Sequence, residues 1–169
     1  MSDAKTYIPN IIFRDAQLIF KPNFDGHAER FNAPGRRYMN IRLDDDLYDQ
    51  LDKDGWRVKV WQPKPTDEDP EPDAIKFMKV IINLDGMVPP KIVSVKGTVK
   101  TVLEGDLVNV LQGARFSKIK CSVSPYQHEE GDPLTGYLRT GYFYLTDMDD
   151  PFMSDDDDFE NDASNDIPF

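Results

Sequence analysis

Three short stretches of the chain alternate apolar and other residues with a period of two, and this alternation allows little but β-strand at those places. In YMNIRL (38–43), Met39, Ile41 and Leu43 fall on one side and Tyr38, Asn40 and Arg42 on the other. In WRVKVW (56–61), Trp56, Val58 and Val60 oppose Arg57, Lys59 and Trp61. In IKFMKVIINL (75–84), Met78, Val80, Ile82 and Leu84 oppose a face that includes Phe77, Lys79 and Asn83. Successive side chains of a strand point to opposite faces, so each stretch offers one face to a core and a second face to something else. In all three, the second face mixes a base with an aromatic ring.

The remaining stretches extend the same architecture. NIIFRDAQLIFK (10–21), KIVSVKG (91–97), TVKTVL (98–103), RFSKIKCSV (115–123) and GYLRTGYFYL (136–145) are rich in branched and aromatic residues and read as strands. Pro34-Gly35, Gly86, Pro89-Pro90 and Gly97 punctuate them, and QPKPTDEDPEPDA (62–74) is too rich in proline for strand or helix. Leu43, Leu47 and Leu51 recur every four residues behind Asp44, a natural N-cap, and before Gly55, which predicts a short amphipathic helix. A second helix of one or two turns is expected over 107–112, between Asp106 and Gly113. Six or more strands with one or two short helices define a mainly β chain, a small barrel or a sandwich. The five-stranded oligonucleotide/oligosaccharide-binding (OB) barrel is one such fold, although counting strands does not single it out.

The mixed face has a chemical use. Single-stranded nucleic acid presents a phosphate chain to cations and unstacked bases to rings, and stacking contributes about 1–3 kcal/mol per base whatever its identity. The candidate binding residues are therefore Arg36, Arg37, Tyr38, Arg42, Arg57, Lys59, Trp61, Phe77 and Lys79, with Lys118, Lys120 and Arg139 extending the groove. The planar fork of arginine suits phosphate particularly well. Trp56 belongs to the apolar face and is assigned to the core, as are Tyr142, Phe143, Tyr144 and Cys121.

Charge divides the chain. Ten of its 31 acids lie from Asp147 onward, where no Lys or Arg occurs, leaving 21 acids against 20 bases in the first 146 residues. The body is close to neutral, and association into a homo-oligomer is one expected route to affinity. The acidity belongs to a tail too poor in apolar residues to fold, so 147–169 is expected to be disordered and to interact. An anionic tail tethered beside a cationic groove would compete for it in a salt-dependent way. The expected division is an arm over 1–9, a binding domain over 10–146 and the tail over 147–169.

Other classes find little support. His27 and His128 have no neighbouring ligand pattern, no phosphate loop or nucleophile elbow is present, and no cofactor or metal is implied. Catalysis is not expected. One cysteine fits a reducing cytoplasm, and no apolar run of membrane-spanning length or signal peptide is seen, so a soluble cytoplasmic protein with no membrane partner is expected.

The last residues carry a resemblance. NDIPF (165–169), preceded by acids, resembles the acidic tip of bacterial single-stranded DNA-binding proteins, usually Asp-Asp-Ile-Pro-Phe. Asp166, Ile167, Pro168 and Phe169 match, and Asn165 departs from the pattern. That resemblance implies a tip that docks its terminal Phe into a hydrophobic pocket on replication, recombination and repair enzymes. The body lacks the usual opening of the bacterial proteins. Residues 8–146, through AQLIFKPNFDGHAERFNAPGRRYMNIRLDD, LDKDGWRVKVW, PPKIVSV and VSPYQ, instead resemble phage-encoded single-stranded DNA-binding proteins. This implies an OB-type small barrel, a role in replication or recombination of a phage genome, a site of action in the host cytoplasm, and recruitment of host enzymes through the tip. Two rival readings are an acidic DNA mimic that inhibits a DNA-binding enzyme and a strand-annealing recombination mediator. The basic, aromatic face on three strands argues against the first.

Overall fold

The computed structural model describes residues 8–146, and the expected tail and its tip lie outside them. Met39, Ile41 and Leu43 of one strand and Met78, Val80 and Ile82 of its neighbour are all buried, as the alternation requires. They belong to β2 (Arg37–Leu43) and β4 (Ile75–Ile82), which pair antiparallel from Arg37 opposite Ile82 to Leu43 opposite Lys76. The other strands are β1 (Ile11–Phe13), β3 (Lys59–Trp61), β5 (Lys91–Lys96), β6 (Val99–Val102), β7 (Phe116–Tyr126) and β8 (Thr135–Leu145).

The sheet runs β1-β7-β8-β4-β2, with β3 on β4 and the β5–β6 hairpin on β8, and it is antiparallel except where β8 pairs in parallel with β4 and with β5. This path of regular strands is open between β1 and β2. The irregular segment 16–23 bridges the gap: Ala16 N–H donates to Ile119 of β7 at 2.8 Å, and Ile19 and Asn23 donate to Asn40 and Tyr38 of β2 at 3.0 and 2.9 Å. One long first segment therefore touches both β7 and β2, and the third and last strands of the ring are parallel neighbours. That is the OB-type arrangement.

Two strands are shorter than the sequence indicates. Within 10–21 only Ile11–Phe13 is regular strand, because the chain bends at Arg14 and Asp15 and Phe20 takes a left-handed backbone (φ 63°). Within 56–61 only Lys59–Trp61 is regular strand, an edge on β4, so Val60 is half-exposed instead of packed in the core. Trp56 is buried as expected, held by a bridge to Leu134.

The helices follow local chemistry. In α1 (Asp45–Lys53) the Asp44 carboxylate accepts from Leu47 N–H at 2.7 Å, acids fill the positive N-terminal turn, and Leu51 is buried. The second helix is a 3-10 helix, Gly105–Leu111, which buries Val108 and Leu111. Among the described residues no helix is long and apolar enough to cross a membrane.

β8 is buried on both sides for much of its length. Phe143 joins the main core with Phe24 and Phe116, whereas Tyr142 and Tyr144 form a second cluster with Val93 and Val95 of β5. Cys121 is fully buried in the main core, and burial pushes its thiol up to about 12.

Candidate nucleic-acid interface

Register determines which side chains share the outer surface. Tyr38, Asn40 and Arg42 of β2 lie opposite Ile81, Lys79 and Phe77 of β4, and Lys59 and Trp61 of β3 lie opposite Phe77 and Ile75. Paired residues point the same way, so Tyr38, Arg42, Lys59, Trp61, Phe77 and Lys79 occupy one continuous face. Phe20 joins them. Its ring meets Trp61 edge-on at 5.4 Å and Phe77 edge-on at 5.1 Å, and its unusual backbone angle delivers it there. The result is a half-exposed apolar platform flanked by cations.

Above the platform stands the loop between β1 and β2. Glu29 and Asn32 exchange backbone hydrogen bonds, making a tight hairpin with Arg30 and Phe31 at its tip. Phe31 is 91% exposed, covered only by the Arg30 guanidinium 5.2 Å above its ring. The buried amide of Asn23 holds the hairpin's base: it donates to His27 O and Glu29 Oε1, both at 2.9 Å, and accepts from Gly26 N–H at 2.8 Å. The hairpin divides the surface. One groove of about 390 Å³ includes Phe20, Phe31, Lys59, Phe77 and Lys79 in its lining, and another of about 580 Å³ includes Phe31, Arg36, Tyr38, Ile81 and Tyr137.

The charges are arranged to welcome an anion. Burial, then repulsion from Lys59 and more weakly from Arg36, lower the pKa of Lys79, against an opposing pull from Glu29. An added phosphate would relieve the part of that shift that Lys59 and Arg36 cause. Burial and the Glu29 acceptor push the Tyr38 phenol up to about 12, and the same hydrogen bond, with that from Asn23, holds Glu29 below the usual carboxylate range.

Two predicted residues stand apart from this face. Arg37 lies in register with buried Ile82 and points to the barrel's end, where Nε donates to Phe24 O at 2.7 Å and a terminal nitrogen to Asn109 at 3.1 Å. Arg57 is exposed in the approach to β3 and not in the strand. Arg36 lies in the loop beside the second groove. Of the proposed extensions, Lys120 is 1% exposed, in register with Tyr142 on a different surface, so it cannot extend the groove; Lys118 lies beside Tyr144 there. Arg139 is exposed at a bulge of β8.

Four rings were not predicted: Phe20, Phe31, Tyr126 and Tyr137. Tyr137 pairs with Ile81, carries the face onto β8, and meets Tyr126 edge-on at 5.4 Å. Alternation against buried Leu138 could have identified Tyr137. Phe20 and Phe31 sit in irregular backbone, which has no period to read.

Rings and cations sharing the outer face of an OB-type barrel define the class: a binder of single-stranded nucleic acid. The chain belongs to the family described as "Putative phage ssDNA-binding domain", whose model matches residues 1–166. Among solved structures it is similar to the single-stranded DNA-binding protein from bacteriophage Enc34, C-terminal truncation, at 11% identity and a TM-score of 0.41, over 85% of this chain and 88% of that one. No curated protein matches it.

Proposed function

We propose that residues 10–146 bind single-stranded DNA without sequence preference, by stacking bases on Phe20, Trp61 and Phe77 and holding phosphates with Arg36, Arg42, Lys59 and Lys79. The observation that carries this reading is the three-ring cluster beside Lys59 and Lys79 on one outer face. Stacking is indifferent to base identity, and a duplex keeps its bases out of reach of such a platform. In a phage this serves protection of strands exposed during replication or recombination. The acidic extension 147–169 serves as an interaction tail, with Asp166, Ile167, Pro168 and Phe169 as the hook for partner enzymes; the arm 1–9 has no assigned part.

The test is a fluorescence titration of the full chain with oligo-dT and with duplex at two salt concentrations. Salt-sensitive binding to the single strand with tryptophan quenching supports the reading. Equal affinity for duplex, or no binding, overturns it. Removing Asp166–Phe169 should leave this affinity unchanged and abolish co-purification of replication enzymes.

A further inference from the structure

Two rings of the outer face take no part in the three-ring platform. Tyr137 of β8 lies in register with Ile81, which lies opposite Tyr38, so the three form one row across β8, β4 and β2. Tyr126, at the end of β7, meets Tyr137 edge-on and is 49% exposed. The exposed His128 ring follows, 6.4 Å from Tyr126. Neither tyrosine belongs to a buried core cluster, so core packing is not what gathers them. Four residues of β4 separate Phe77 from Ile81, about 13 Å of strand, and β8 lies about 4.8 Å to the side. Tyr137 is therefore about 14 Å from the platform along the sheet.

The two places are continuous. Phe31 and Asn32 of the hairpin and Tyr38 and Lys79 of the sheet line both grooves. Positive charge continues across them as well. Lys59 and Lys79 lie in the first groove, Lys79 and Arg36 in the second, and Arg139 is exposed two residues beyond Tyr137. The opposing acids are Glu29, which accepts from Tyr38 and Asn23, and Asp85. We propose that one single strand occupies both grooves at once, crossing at Phe31, and that Tyr126 and Tyr137 are a second base-stacking subsite on the far side.

This inference rests on the reading of the face as a single-strand binder and extends its footprint beyond Phe20, Trp61 and Phe77. Stacked nucleotides advance about 3.4 Å each, so about four of them separate a base on Phe77 from one at Tyr137. Phe31, exposed between the grooves, divides the bases into two stacks. The shared lining favours one strand over two, because a strand in either groove already covers Phe31, Tyr38 and Lys79. Affinity then depends on length: a short oligonucleotide fills one cluster of rings, and a longer one reaches the second as an intramolecular event.

The test is photo-cross-linking of the full chain to oligo-dT of about twelve nucleotides, within the span of one such fold. Iodouracil replaces one thymine at a time, and the adducts are mapped by mass spectrometry. Adducts at Phe20, Trp61 or Phe77 are expected from one part of the oligonucleotide, and adducts at Tyr126 or Tyr137 from positions about four nucleotides away. Adducts at the platform alone overturn the second subsite and leave the binding reading standing. Adducts at both clusters from the same positions overturn simultaneous occupancy. Adducts at neither cluster overturn the binding reading itself. Affinity gives an independent check. Tyr137→Leu should weaken binding of this oligonucleotide about tenfold, within the range for one stacked base, with an unchanged circular dichroism spectrum. Tyr126→Leu, at a half-exposed strand end, should do the same and serves if the first variant does not fold. Affinity within twofold of the parent in a folded variant overturns the proposal.

Discussion

Lys79 holds its ammonium 4.4 Å from the centre of the Tyr38 ring, while the Tyr38 hydroxyl donates a 2.6 Å hydrogen bond to Glu29. The aromatic ring thus couples the sheet's cation to the hairpin's base. It also couples the hairpin to pH. Glu29 is held below its ordinary value of 4.5, chiefly by Tyr38 and then by Asn23. A carboxylate with a depressed pKa stabilises the fold fully above its unfolded value and loses that contribution as pH falls through the folded one. In Tyr38→Phe the largest donor is gone, so Glu29 should titrate closer to 4.5 in a carboxyl NMR titration. Amide exchange in the 24–36 loop should then rise at a higher pH than in the parent. An unmoved Glu29 titration would show that the hydrogen bond does not exist in solution.

Trp61 is 45% exposed on an edge strand and Trp56 is 3% exposed in the core. Any tryptophan quenching by bound DNA should therefore come from Trp61. Trp61→Ala should weaken oligo-dT binding by about 1–3 kcal/mol, the value of one stacked base, with an unchanged circular dichroism spectrum. Trp61→Phe should keep most of the affinity and lose the quenching. Quenching that survives in Trp61→Phe would relocate the strand.

Phe31 makes almost no contact that could support the fold, so Phe31→Ala should shift the denaturation midpoint by no more than a surface change does, within about 0.5 kcal/mol. Its place between the two grooves predicts a kinetic effect. Stopped-flow dissociation from oligo-dT should become about tenfold faster, since affinity changes within one interface fall mainly on the off-rate. Unchanged dissociation would leave the exposed ring without a role in binding.

How far these features could be read from the sequence depended on backbone regularity. Met39, Ile41, Met78 and Val80 were legible as core because period-two alternation and burial coincide in β2 and β4. Asp44 and Gly55 were legible because capping is local chemistry. Phe20 was not: it sits at φ 63°, outside any period, although it completes the ring platform. Val60 was assigned to the core by alternation alone, and the edge position that exposes it is a tertiary fact. Lys120 misled for a related reason. A lysine alternating with buried residues reads as solvent-facing, but Lys120 is 1% exposed, in register with buried Tyr142.

Gly136 sits in β8 at the parallel junction with β4, opposite Val80. A Cβ there would fall 2.7 Å from Val123 Cγ1 and 2.9 Å from Met78 Cε. Met78 can swing its terminal methyl aside, but the branched Val123 has few rotamers to offer. Gly136→Ala should cost about 1–3 kcal/mol, the range for overpacking a filled core, in urea denaturation. A neutral result would mean that the strands separate more easily than their packing indicates.

Arg37 and Lys59 were both read as phosphate contacts, and the structure gives them different surroundings. The Arg37 side chain is 11% exposed and bonded to Phe24 O and Asn109, 3.8 Å from Asp106, so it ties β2 to the loop and the 3-10 helix. Lys59 is exposed beside the ring platform. Arg37→Ala should therefore lower stability by about 1.5–3 kcal/mol through lost charged hydrogen bonds and leave the salt dependence of binding intact. Lys59→Ala should leave stability alone and reduce the slope of log affinity against log salt by about 0.7, one phosphate on a single strand. The two measurements share a protein and a buffer, so each variant serves as the other's control. A reduced slope in Arg37→Ala without loss of stability would return Arg37 to the DNA-binding set and move the strand toward the barrel's end.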